Sequence, residues 1–205
     1  MSRFSQAISE GDGISLIPVL AGDVEGLARD AEGGGAEALA VAAAADVERV
    51  RASVGLPVLL CARVRAASDL EAAETVGADA VVLDFGELED DDGLLEQLHA
   101  EALALGFDCA IDVCDDEQLM HALERVDPDI LTISNGQAAQ EDAFERTLDL
   151  LPDVPAGKLV IAESGPIVRE QVLALERAGV DAILATQLAG AGDFAGALAD
   201  LVGEE

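Results

Sequence analysis

Short apolar segments alternate with longer stretches of helical period along the whole chain, eight times over, and this rhythm limits the possible folds more than any single residue does. The apolar segments are ISLIPVL (14–20), EALAVA (37–42), PVLLC (57–61), DAVVLD (79–84), FDCAIDV (107–113), DILTI (129–133), KLVIA (158–162) and DAILAT (181–186). Helical stretches fall between them near 24–33, 45–53, 68–76, 91–105, 116–126, 140–151, 167–178 and 193–202. In VGADA, ALGFD and AGVDA a glycine stands just ahead of the next strand, as expected of a residue that ends a helix. The strand segments are continuously apolar, so both faces of each are buried and the strands run parallel beneath a layer of helices. Eight such units are what a closed (β/α)8 barrel requires. An open doubly wound sheet is the alternative, but it would call for a GxGxxG turn after the first strand, and none follows ISLIPVL.

A chain of 205 residues, 51% hydrophobic, is long enough for one sizeable core, and the expectation is a single barrel domain over 1–205. The longest apolar run, Ala38 to Ala45, falls well short of the roughly 20 residues of a membrane helix. The start MSRFSQAISEGDG has no basic segment leading into an apolar one. A cytoplasmic location without membrane partners is therefore expected. Three cysteines, Cys61, Cys109 and Cys114, form neither an even set nor a CxxC, so neither a disulfide framework nor a metal site is indicated, and no cofactor is expected. The charge is −31, from 42 acidic residues against 11 basic ones, of which Lys158 is the single lysine. That balance excludes nucleic acid as a partner and suits a cytoplasm at molar salt, where the Debye length shrinks to about 3 Å.

Barrel chemistry gathers at the C-terminal ends of the strands. The residues there are Leu20, Ala43, Cys61 with Arg63, Asp84, Asp112 with Cys114, Ser134 with Asn135, Glu163 with Ser164 and Gly165, and Thr186 with Gln187. Carboxylates, amides and hydroxyls dominate this rim. Asp84, Asp112 and Glu163 form a candidate carboxylate set in which crowding raises one pKa enough for acid–base work, with Asn135 beside it. His99 and His121 lie within helices and are expected to be packed or solvated rather than catalytic. Lys158 opens its strand and belongs to the opposite face.

The segments GLPVLL (55–60), EAAETVGADAVVL (71–83), DDEQLMHALERVDPDILTISN (115–135), FERTLDLLPDVP (144–155) and AESGPIVREQVLALERAGVDAIL (162–184) together resemble the indole-3-glycerol phosphate synthase family, ring-closing, decarboxylating barrels of tryptophan biosynthesis. The resemblance implies a barrel of the ribulose-phosphate-binding type and a carbon–carbon lyase activity. It also implies a phosphorylated small molecule as ligand, its phosphate held by the Glu163-Ser164-Gly165 turn. Amide donors at a helix N-terminus suit that role. The other half of the family's grip, Gly-Glu-Ser after strand eight, reads Thr186, Gln187 and Leu188 here; Gly190 and Gly192 offer amide donors instead, for which Asp193 at the expected N-cap would compete.

Where the family carries cations, this chain departs from it. The strand-one Glu-Ile-Lys is matched by Ile17, Pro18 and Val19, and the strand-three Arg-Lys-Asp-Phe by Leu60, Cys61, Ala62 and Arg63. A thiol does not replace an ammonium that must carry charge and donate a proton. The strand-five glutamate is shortened to Asp112, its neighbouring histidine becomes Cys114, and Asn-Asn-Arg becomes Ser134, Asn135 and Gly136. The family's N-terminal extension is matched by about a dozen residues here. Ordinary synthase activity is accordingly expected to be absent or very low. The alternatives are an active carboxylate-based lyase or isomerase of the same lineage, and a non-catalytic regulatory or scaffold barrel.

Overall fold

The computed structural model describes residues 3–11, 13–135, 143–164, 168–188 and 193–202. These form a closed barrel of eight parallel strands in sequential order. The strands are β1 (Ser15–Leu20), β2 (Leu39–Val41), β3 (Val58–Leu60), β4 (Ala80–Asp84), β5 (Asp108–Val113), β6 (Ile130–Ile133), β7 (Leu159–Ser164) and β8 (Ala182–Ala185). All eight fall within two residues of the expected segments. β1 pairs with β8 from Ser15 to Pro18 and with β2 at Val19 and Leu20. Pro18, which has no N–H to give, thus stands at the end of its pairing with β8.

The surrounding helices are α1 (Arg3–Ser9), α2 (Val24–Gly33), α3 (Ala44–Ser53), α4 (Ala67–Val76), α5 (Phe85–Leu88), α6 (Leu94–Ala104), α7 (Asp116–Arg125), α8 (Ala143–Leu150), α9 (Arg169–Ala178) and α10 (Phe194–Val202). Gly77 and Gly179 end α4 and α9 in the left-handed conformation, as their sequence positions predicted. Two helices are additions to the sequence reading. The expected helix over 91–105 starts later, at Leu94, and the short α5 lies ahead of it, N-capped by Asp84, whose Oδ1 accepts the Glu87 N–H at 3.1 Å. No helix among the described residues is long and apolar enough to cross a membrane.

The other addition, α1, closes the N-terminal end of the barrel. Its Phe4 and Ile8 are buried among the residues that fill the barrel, Ile17, Leu59 and Ala110 among them. The Ser5 N–H donates to Asp108 at 2.6 Å, tying the plug to the first residue of β5. Carboxylates just ahead of two strands add rungs to the sheet at this end. Asp79 accepts the Val58 N–H at 2.7 Å, and Asp181 accepts the Val160 N–H at 2.7 Å. Arg51 donates to the same Asp79 oxygen at 2.6 Å, and Lys158 pairs with Asp127. His99 is buried, and that burial lowers its pKa against the pull of Asp129 and Asp127. Arg51 and Lys158 are thus engaged at the end of the barrel opposite the strands' C-termini.

Candidate functional site

Strand alternation builds the site. Leu59, Ala80, Ala110, Ile130, Ile161 and Ala182 point into the barrel and form its apolar filling. Side chains on one face of a strand recur every second residue, so the next inward positions are Cys61, Val82, Asp112, Thr132, Glu163 and Leu184. These six line a cavity of about 270 Å³ at the C-terminal end, joined by Arg63, Asp84 and Glu87. A single step of two residues turns an apolar plug into an acidic pocket.

The partners within this pocket are uneven. Asp112 Oδ2 accepts a hydrogen bond from the Ser134 hydroxyl at 2.8 Å. Asp112 Oδ1 and the Thr132 hydroxyl are buried and have no hydrogen-bond partner among the described residues. The two residues lie side by side in register on β5 and β6. Asp84 is opposite Asp112 on β4 and is exposed. Arg63 reaches the cavity mouth, but its guanidinium is bonded to Glu87 at 2.5 Å. Arg65 and Arg146 are engaged nearby, the first with Asp91 at 2.6 Å and the second with the Cys114 carbonyl at 2.9 Å.

Burial pushes the Asp112 carboxyl up to about 8. The Ser134 bond works against that shift, while the charges of Asp84 and Glu163 add to it. Burial also raises Glu163. Cys61 is pushed up to about 12 by burial and by the Glu163 and Asp112 charges, which leaves it a neutral thiol. Around neutrality the pocket therefore holds Asp112 largely as the protonated acid, a group able to donate and take back a proton.

Of the residues expected from sequence, Asp84, Asp112 and Glu163 meet in this cavity. Asn135 follows Ser134, half-buried, outside the lining. Thr186 follows β8, half-buried, and is also outside the lining. Ser164 ends β7, its backbone in register with Ala185 of β8. Gly165 and Gly190 lie outside the described residues. No group of three or more His, Cys, Asp or Glu among the described residues is placed to hold a metal ion. Thr132 and Glu87 were missed. Thr132 was readable as the residue two positions after Ile130, whereas Glu87 enters through α5, which had no sequence signal of its own.

Comparison with known proteins bears on the family and the fold. The family model for indole-3-glycerol phosphate synthase matches residues 23–201. The indole-3-glycerol phosphate synthase of Variovorax paradoxus is 36% identical over 138 residues, covering 67% of this chain and 51% of the relative. The chain thus spans about half the length of that curated relative. Among solved structures, two mutant forms of the tryptophan synthase alpha-subunit from the hyperthermophile Pyrococcus furiosus superpose with TM-scores of 0.73 and 0.72 at 15% identity. They cover 94% and 93% of this chain and 99% and 98% of theirs, a likeness of fold. An eight-stranded barrel with its polar residues at the C-terminal end, matched by the family model over most of its length, makes this chain a member of the indole-3-glycerol phosphate synthase family.

Proposed function

We propose that this barrel is a divergent family member that binds a phosphorylated small molecule. The phosphate would lie at the loops after β7 and β8, with the other end of the ligand over the Asp112 cavity, and ordinary synthase turnover would be very low. The observation that carries the low turnover is the lining itself: Cys61, Asp112, Thr132 and Glu163 face the cavity, and the arginine at its mouth is tied to Glu87. Loss of one general acid typically costs about 10²–10⁴-fold in rate, and the matched family positions lack more than one cation. Support for the phosphate comes from family membership and from Ser164 at the C-terminal end of β7. The acid-rich composition suits molar salt, under which the assays belong.

Titration calorimetry with a phosphorylated anthranilate sugar in about 1 M KCl tests the binding, which is expected to be measurable and to be displaced by inorganic phosphate. Indole-glycerol phosphate formed at ordinary rates under the same conditions would overturn the low-turnover reading. A second reading, an active lyase or isomerase working through carboxylates, is favoured by one observation: Asp112 raised to about 8 beside Glu163. It requires turnover that Asp112→Asn abolishes while the ligand still binds.

A further inference from the structure

The inner end of the cavity holds two polar groups without a hydrogen-bond partner among the described residues. Thr132 is 2% exposed, its side chain lines the cavity, and its hydroxyl has no partner among the described residues. The neighbouring Asp112 Oδ1 is in the same position, although Ser134 has fixed the other oxygen of that carboxyl. Buried polar groups are nearly always bonded, and leaving one unpaired costs about 1–3 kcal/mol. Two adjacent ones in a cavity offer hydrogen-bonding sites to an occupant.

The lining specifies what kind of group that is. Asp112, Asp84 and Glu163 offer acceptors, and Arg63 is neutralised by Glu87, so an anion would meet carboxylates there. An ammonium brings three donors and a positive charge. Val64, Val82 and Leu184 supply apolar wall, and about 270 Å³ is of the order of nine water volumes, enough for a compact body. We propose that Thr132, Asp112 and Glu163 form a recognition site for the protonated amine of a compact ligand with an apolar body. This rests on the cavity of the functional reading and is independent of the phosphate loops.

Binding carries a proton balance. An ammonium seated on protonated Asp112 displaces that proton to solvent and leaves an ammonium–carboxylate pair. Asp84 from β4, Glu163 from β7, Cys61 after β3 and Ser134 after β6 surround the group, and only the carboxylates among them add charge. Amine affinity therefore rises with pH until Asp112 is ionised, near 8.

Calorimetry on the full chain in about 1 M KCl, with benzylammonium as probe and benzyl alcohol and benzoate as controls, tests the site. Benzylammonium is expected to bind at least about tenfold more tightly than benzyl alcohol, with benzoate not binding. Proton release, read in two buffers of different ionisation enthalpy, is expected at pH 7 and absent in Asp112→Asn. Thr132→Val is expected to weaken amine binding by about tenfold and to raise the melting midpoint of the free protein, since it removes an unpaired hydroxyl. Glu163→Gln gives a second weakened variant should Thr132→Val fail to fold. Equal affinity for the three probes, or a Thr132→Val protein that melts lower and binds the amine unchanged, would mean that water alone fills the floor and would overturn the proposal. Phosphate-ester binding without amine binding would sink this inference and leave the functional reading standing, and the reverse result would do the opposite.

Discussion

Asp112 concentrates the chemistry of the site in one carboxyl. An aspartate in an unfolded chain titrates near 3.9, and burial raises this one to about 8. The folded state therefore holds an extra proton between those values, and stability from this group is full below about pH 3.9 and is lost as pH rises through about 8. Asp112→Asn removes the titration. Urea melts are expected to show the variant gaining on the wild type between pH 6 and pH 9, and a constant difference across that range would contradict the buried-acid assignment. Cys61 gives a second test. With its thiol pushed up to about 12, it is expected to alkylate slowly with iodoacetamide at pH 8 in the folded protein and quickly once unfolded. Mass spectrometry of the labelled peptide reads this directly. The positions of Asp84, Asp112 and Glu163 were legible because strand ends at one face of a parallel barrel converge. The pairing of Arg63 with Glu87 was not, since it joins residues 24 apart across two loops.

Among the elements, the strands were the most legible, because a strand buried on both faces carries an unbroken apolar run. Residues 3–9 gave no such signal. RFSQAIS is too short and too polar to read as a helix by pattern, and it forms α1 because Phe4 and Ile8 find the open end of the barrel. Phe4→Ala is expected to destabilise the fold by about 3–5 kcal/mol, measurable by chemical denaturation. A loss below about 1 kcal/mol would mean that α1 is no plug. Asp79 answers a strand N–H and an arginine at once. Asp79→Ala, which strands both, is expected to cost about 1.5–3 kcal/mol in the same assay.

For the whole molecule, net charge sets the response to the medium. With 42 acidic residues against 11 basic ones, mutual repulsion is expected to outweigh the ion pairs that engage Arg3, Arg49, Arg51, Arg63, Arg65 and Arg125. Raising KCl from about 0.1 M to about 1 M is therefore expected to raise the thermal midpoint, followed by circular dichroism. A midpoint that falls would show that the ion pairs, which salt weakens, matter more than the repulsion.

Barrel architecture, strand order and the convergence of carboxylates at one end were written in the chain, because period-two and helical patterns report which faces are buried and a parallel barrel leaves one arrangement for them. The plug α1, the cap α5 and the spent guanidinium of Arg63 were settled by contacts between distant segments. The unpaired hydroxyl of Thr132 belongs with them. A threonine inside an apolar strand looks like any β-branched residue until the packing around it shows that none of the described residues answers its oxygen.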